Sequence, residues 1–286
     1  MNLDSLILRP LSRDEFDTAV EWAAAEGWNP GLNDAEVFWN TDPEGFVGAE
    51  YHGELVATGS IVSYGGRFGF MGLFIVRPGL RGQGIGTRLW FHRRDQLLGR
   101  LRPGAAIGMD GVFNMQEWYA KGGFTFSHRN LRMEGTGSAA RPDPRIVELA
   151  TLPFDEVAAY DLPCFGCGRQ GFLRDWIAMP NARALGYLKN DRLAGYGVIR
   201  RCRAGFKIGP LFADTAEIAR DLFDALADAA AGEAVFLDVP ESHADAMDLA
   251  SRAGMTEVFG CARMYHGSPP AMEPGKTYGI TTFELG

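Results

Sequence analysis

Apolar positions in the first half of the chain fall into short runs that predict strands, and helical patterns separate these runs. The strand-like runs, rich in β-branched and aromatic side chains, are 6–8, 46–51, 55–64, 68–76, 106–109 and 124–133. Helical periodicity covers 33–39, 84–98 and 115–121. An earlier helix begins after Ser12, which pairs with Glu15 in a capping box, and Gly27 ends it. A mixed sheet covered by helices is the simplest packing of these elements.

The second half repeats this order of elements. A hairpin at 187–201 turns at Asn190-Asp191, as an earlier hairpin turns around His52-Gly53. The remaining predicted elements are strands at 206–212 and 235–240 and helices at 215–231 and 244–253. Corresponding points lie about 130 residues apart, which indicates a tandem duplication.

Between the halves lies a segment rich in Gly, Ser, Ala and Pro, which lacks apolar periodicity and is typical of a linker. We therefore predict domains at 1–133 and 145–286, joined by a linker at 134–144. The fold class is α+β, or mixed α/β, with a mixed and mostly antiparallel sheet flanked by helices in each domain.

Composition narrows the classes of function. Of the 286 residues, 46% are hydrophobic and 22% are charged, so a globular core is expected. The apolar runs fall short of the roughly 20 residues that span a bilayer, and residues 1–10 lack the layout of a signal peptide. We therefore expect a cytoplasmic protein with no membrane partner. The net charge of −8 argues against nucleic acid and favours cationic small molecules.

Cysteine usage suggests no metal. Cys164 and Cys167 form a lone CxxC, and zinc would require Cys202 and Cys261 to converge with it. Buried, unpaired thiols are the expected state of these residues.

A glycine-rich loop at 81–87 follows an apolar run and opens a helical pattern, which is the layout of a backbone cradle for phosphate. A Walker-type loop does not fit, because the single Gly-Lys-Thr of the chain, at 275–277, has Pro270 where the upstream glycine is required. A dinucleotide-binding fingerprint fails too, since its third glycine position holds Thr87 or Leu89. An ordinary turn with surface arginines is the remaining alternative.

The loop Arg81-Gly82-Gln83-Gly84-Ile85-Gly86 resembles the R/Q-x-x-G-x-G/A signature of the GNAT superfamily of N-acetyltransferases. A second segment, 118–124 with the sequence WYAKGGF, resembles the end of the GNAT core. Three further runs, at 161–176, 209–214 and 278–286, are similar to two-domain acetyltransferases of the YitH/HolE type. The resemblance implies a catalytic GNAT domain at 1–133 and a degenerate GNAT-like domain at 145–286. The second domain has Ala213-Asp214-Thr215 in place of the loop.

The resemblance also implies acetyl-CoA as the co-substrate. Backbone N–H groups of Phe74 and Val76 are expected to grip its pantetheine arm and polarise the thioester. Tyr119 is the expected general acid, because a phenol is protonated at neutral pH and can donate to a leaving thiolate. The full set expected to bind the co-substrate is Phe74, Ile75, Val76, Arg81, Gly82, Gln83, Gly84, Ile85, Gly86 and Thr87.

The acceptor site is expected between the halves, where ligand clefts commonly lie. Asp110, at the end of a predicted strand, is a candidate to bind the amine or relay its proton, or simply to cap the next turn. Trp28 could form the rim of the pocket. Asp161 and Arg169 could contact the substrate, with a purely structural bridge as the alternative for Arg169.

Taken together, the sequence predicts an enzyme that moves an acetyl group from acetyl-CoA to a small-molecule amine by direct attack. Two alternatives stay open: a CoA-binding sensor or scaffold without turnover, and an acetyltransferase for protein lysines or N-termini. A monomer is expected, since the second half could cover the surface that a partner subunit covers in single-domain relatives.

Overall fold

The computed structural model describes residues 2–141 and 143–286. The strands of the first half are β1 (Leu6–Pro10), β2 (Phe46–Tyr51), β3 (Glu54–Ser60), β4 (Val62–Tyr64), β5 (Phe68–Met71), β6 (Ile75–Val76), β7 (Ile107–Val112) and β8 (Thr125–Thr136). Its helices are α1 (Arg13–Ala25), α2 (Asp34–Thr41), α3 (Ile85–Arg100) and α4 (Gln116–Lys121). The predicted capping box of Ser12 and Glu15 is present at the start of α1.

The second half follows the predicted order. Its strands are β9 (Ile146–Glu148), β10 (Ala182–Lys189), β11 (Arg192–Arg201), β12 (Phe206–Ala213), β13 (Ala234–Pro240), β14 (Thr256–His266) and β15 (Thr277–Gly279). Its helices are α5 (Phe154–Phe165), α6 (Gln170–Ile177), α7 (Ala216–Ala227) and α8 (Ala244–Arg252). The hairpin turns at Asn190 and Asp191, both with positive φ. Helix α7 ends earlier than predicted, because a 3₁₀ turn replaces its last residues.

The two halves share one sheet because each contributes its last long strand to the other. β8 pairs with β13 and β14, and β14 pairs with β7 and β8. β5 and β7 are parallel, as are their counterparts β12 and β13, and the other ladders within the described residues are antiparallel. β8 continues to Thr136, so the first three residues of the predicted linker lie in a strand.

The strand predicted at 68–76 is broken, and the break opens a gap in the first half. β5 stays beside β7, whereas β6 pairs with β3 through Ala57 and Val76. Leu73, between them, has a positive φ of 47°. The strand predicted at 55–64 is likewise divided, into β3 and β4, which belong to different sheets. Beyond Met71, β6 and β7 therefore diverge, and a gap lies between their ends.

The corresponding gap of the second half is filled by the chain's own C-terminal segment, residues 277–286. β12 and β13 pair only through 206–208 and 235–237. Beyond that point β15 pairs with β12, and the N–H of Ile280 donates to the carbonyl of Asp238 at 2.9 Å. A side chain at Gly209 would lie 2.4 Å from the carbonyl oxygen of Thr281. The segment thus takes the place that stays open in the first half.

All four cysteines, each of which the structure describes, are buried free thiols, as predicted. No helix in the described residues is both long enough and apolar enough to cross a membrane.

Candidate active site

The gap beside β6 and β7 opens into a pocket formed by both halves of the chain. The first half contributes the turn around Leu73 and Phe74, together with side chains from α3, β7 and α4. The second half contributes Phe259 and Cys261 from β14, and Glu284 from the C-terminal segment. The pocket therefore requires the two halves to be in place together.

The glycine loop has the geometry of an anion cradle. Gly82 and Gly84 have positive φ values of 77° and 87°, which glycine adopts without strain. Gly84 is the N-cap of α3, and since it has no side chain, none competes for the first N–H groups of the helix. The first turn of α3 also carries no acidic residue. The loop therefore fits a pyrophosphate, which these N–H groups and the helix dipole would bind.

The side chains of the loop contribute less than expected. The guanidinium of Arg81 donates to the carbonyl of Val76 at 2.9 Å and forms an ion pair with Glu26. Gln83 donates to the backbone carbonyl of Gly79, in the turn ahead of the loop. In this arrangement the cradle is made of backbone, and the charge of Arg81 is compensated within the protein.

Along β6, the backbone N–H groups of alternate residues point into the gap. The N–H of Arg77 donates to the carbonyl of Val56 on β3 at 3.0 Å. Because neighbouring residues of a strand direct their N–H groups to opposite sides, the N–H of Val76 points away from β3 and into the gap. This is the orientation expected for a group that pairs with an extended pantetheine arm.

Tyr119, on α4, lies in the pocket with its ring packed against Trp90 and Trp118, at centroid distances of 5.0 and 5.5 Å. Gly111 allows this packing, since a Cβ there would lie 2.4 Å from the Tyr119 ring. Burial raises the pKa of Tyr119 to about 12. The phenol is therefore protonated at neutral pH and able to donate.

Asp110 also lines the pocket, but both of its oxygens are engaged. Arg263 donates to them from Nε and Nη2 at 2.9 and 2.7 Å, and Asn130 Nδ2 donates to Oδ1 at 2.9 Å. A carboxylate held in this way is poorly placed to take a proton from an amine. The geometry thus disfavours Asp110 as the base, and it does not cap the following turn either.

Asp161 and Arg169 form a fully buried ion pair, with bonds of 2.9 and 2.8 Å. The hydroxyl of Tyr196 donates to Asp161 at 2.5 Å. Neither member of the pair lines the pocket, so the contacts agree with the structural alternative for Arg169. Trp28, by contrast, does line the pocket, as Tyr119 does.

Sequence reasoning missed two charged residues of the pocket, Arg93 and Glu284. Arg93 lies on the apolar face of α3, and a charged residue on that face is the sequence feature that could have identified it. Its Nη2 donates to the carbonyls of Ser60 and Gly72 at 2.6 and 2.7 Å. Glu284 is the single charged residue of 277–286, and a lone acidic residue in an otherwise uncharged segment could have marked it as a candidate in the same way.

The C-terminal segment also lines a second, larger cavity of about 570 Å³. Its lining includes four aromatic residues and four prolines, with His128, His243 and Arg263 among its polar residues. Burial, aided by Arg263, lowers the pKa of His128 to about 4, so this imidazole is neutral at pH 7. The phenol of Tyr119 and the turn at the open strand gap belong to the first pocket.

Comparison with known proteins agrees with this geometry. Residues 9–124 match the model of the acetyltransferase (GNAT) family, and residues 157–279 match a second acetyltransferase (GNAT) domain. A holothin acyltransferase of Pseudoalteromonas sp. (strain SANK 73390) is 32% identical over 97% of this chain and 94% of its own length. The N-acetyltransferase YitH of Bacillus subtilis (strain 168) is 22% identical over 50% of this chain and 51% of its own length.

Solved structures share the whole fold. A protein of Pyrococcus horikoshii, solved as a candidate acetyltransferase, superimposes with a TM-score of 0.85 at 24% identity, covering 100% of this chain and 98% of its own. A tandem GNAT protein from the clavulanic acid biosynthesis pathway gives 0.63 at 16% identity, covering 93% and 99%.

The fold and the pocket define a tandem-domain acyltransferase, and the chain belongs to the GNAT family. It is an enzyme that transfers an acyl group from acyl-CoA.

Proposed function

We propose that this enzyme transfers an acetyl group from acetyl-CoA to the amine of a small molecule by direct attack, with Tyr119 as the general acid. The nitrogen of the neutral amine attacks the thioester carbonyl, and the phenol protonates the departing thiolate. The observation that carries the proposal is the position of Tyr119, a buried and protonated phenol in the pocket at the open strand gap.

The shape and charge of the protein support a small acceptor. The second half and the C-terminal segment wall one side of the pocket, which leaves less room for a folded protein chain. The net charge of −8 favours the approach of cationic molecules such as amines. The backbone N–H of Val76 and the glycine loop are the groups proposed to hold the co-substrate.

A calorimetric titration with acetyl-CoA tests the co-substrate site. We expect one-to-one binding on the order of micromolar Kd for the wild type. Gly84→Glu should abolish it, because the residue has a φ of 87°, a Cβ there lies 2.9 Å from Leu3 Cδ1, and the substitution adds a negative charge at the N-terminus of α3, where the pyrophosphate is proposed to bind. Gly99→Glu, at the far end of the same helix and in open space, is the matched control and should bind normally. Unchanged affinity in Gly84→Glu would refute the loop assignment.

Thiol release tests the reaction, with benzylamine, aniline, spermidine and a lysine-containing peptide as acceptors. Release with one of the small amines is the expected result. Binding of acetyl-CoA without release by any acceptor would instead indicate a CoA-binding protein without turnover. Release with the peptide alone would indicate a protein acetyltransferase.

A further inference from the structure

The C-terminal segment places a carboxylate, that of Glu284, in the pocket that holds Tyr119. We propose that Glu284 is the general base of the reaction: it accepts a hydrogen bond from the acceptor amine and takes its proton as the nitrogen attacks. This inference rests on the proposed function, and it assigns a catalytic role to a residue that lies far from the glycine loop in sequence.

Glu284 is available in a way that its neighbours are not. Of the described residues that line the pocket, two carry carboxylates, Asp110 and Glu284. Asp110 is occupied by Arg263 and Asn130. Glu284 is 5% exposed, and its Oε2 has no hydrogen-bond partner among the described residues. A buried carboxylate oxygen without a partner is costly, and an N–H group of a bound amine would satisfy it.

The position of Glu284 is fixed by the segment that carries it. A Cβ added at Gly72 would lie 2.1 Å from the carbonyl oxygen of Glu284, so the segment packs directly against the turn beside Leu73. On either side the chain is anchored, because Tyr64 donates to the carbonyl of Leu285 at 2.8 Å and Arg169 donates to Thr281 Oγ1 at 2.9 Å. The buried Arg169 thus holds the segment that presents Glu284.

Charged and titratable residues from several elements lie around Glu284. Its charge lies within Coulombic range of Arg132, Arg200 and Lys207, all buried. Two of these cations are paired with Asp238 and Asp34. The other ionisable residues that share its pocket are Arg93, Asp110, Tyr119 and Cys261.

The proposed step balances with Glu284, Tyr119 and solvent. The amine nitrogen bonds to the thioester carbon, and the carbon–sulfur bond breaks with its electron pair leaving on sulfur. The nitrogen gives one proton to Glu284, and the thiolate takes one from Tyr119. Solvent then carries a proton from Glu284 to the phenolate, so that amine and thioester become amide and thiol.

The test compares Glu284→Gln with the wild type in the full chain, using the amine with the highest wild-type rate of thiol release. Glu284→Gln keeps the size of the side chain and should bind acetyl-CoA with wild-type affinity. Its kcat at neutral pH should fall by about 100-fold or more. The loss should shrink as the pH is raised, because hydroxide then replaces the missing base. Glu284→Asp should retain an intermediate rate.

Glu273→Gln, which alters an exposed carboxylate ahead of the segment, is the matched control and should behave as wild type. A loss in Glu284→Gln that is the same at every pH would mean that Glu284 only supports the fold, and this would overturn the inference. Unchanged turnover in Glu284→Gln would overturn it as well. If the wild type binds acetyl-CoA but acetylates no amine, the proposed function fails first, and the inference fails with it.

Discussion

Tyr119 combines two properties that a general acid for thiolate needs, namely a proton at neutral pH and a position in the pocket that we propose holds the thioester. Tyr119→Phe keeps the ring between Trp90 and Trp118 and removes only the hydroxyl. We expect unchanged affinity for acetyl-CoA and a kcat lower by about 100-fold. Because burial raises the pKa of Tyr119 to about 12, its proton stays in place from neutral pH to about pH 10, and the wild-type rate should not fall on its account in that range.

Steady-state kinetics and titration calorimetry measure both effects. Tyr51→Phe, on β2 and outside the pocket, is the matched control for loss of a hydroxyl. Wild-type turnover in Tyr119→Phe would show that the thiolate takes its proton from another donor, such as water.

Among individual residues, the sequence singled out Tyr119 and the glycine loop because both belong to local motifs, and their roles stay predictions. It could not predict that Asp110 is neutralised by Arg263, since the two are 153 positions apart and meet only when β7 pairs with β14. The same limit hid Glu284, whose place beside Gly72 depends on the path of the whole C-terminal segment. The sequence shows which side chains could take part in chemistry, but it does not show the long-range contacts that decide which of them are available in the pocket.

At the scale of elements, the C-terminal segment and the turn after β5 act as one unit. Gly72→Ala would bring a methyl group to 2.1 Å from the carbonyl oxygen of Glu284, which is backbone and cannot simply rotate away. We therefore expect the segment to be displaced. Hydrogen exchange of residues 277–286 should accelerate and turnover should fall, while binding at the glycine loop persists.

Gly99→Ala is the matched control, because it lies in α3 with open space around its Cβ position and should stabilise the helix slightly. Protection of 277–286 equal to wild type in Gly72→Ala would mean that the contact is easily relieved. In that case Glu284 would not depend on the turn for its position.

The elements themselves were largely predictable, and their breaks were not. Amphipathic spacing and turn residues predicted α1 to α4, α7, α8 and the two hairpins to within about five residues, whereas α5 and β14 were not predicted. The run 68–76 has uniform strand character, so nothing local predicts the positive φ of Leu73. That break arises because β5 stays with β7 while β6 stays with β3, which is a property of the sheet rather than of the segment.

At the scale of the whole molecule, the exchange of β8 and β14 makes the duplicated halves one structural unit. Each half supplies the other with a strand, and Arg132 on β8 forms a buried ion pair with Asp238 on β13 at 2.7 and 2.8 Å. Such an arrangement gives a single chain the interface that two copies of a half would otherwise form. The expectation of a monomer stays a prediction, and light scattering in solution decides it.

The exchanged strands predict that the halves unfold together. Asp238→Asn leaves the buried Arg132 without its charged partner, and the expected loss of stability is about 3–5 kcal/mol. Five of the six tryptophans lie in the first half, so tryptophan fluorescence reports mainly on that half, whereas circular dichroism reports on both. A substitution in the second half should therefore shift the urea midpoint of both signals equally.

Asp248→Asn, which breaks an exposed pair with Arg252, is the matched control and should cost less than about 1 kcal/mol. Two separate transitions in Asp238→Asn, with the fluorescence midpoint unmoved, would mean that each half is stable alone and that the shared sheet does not couple them.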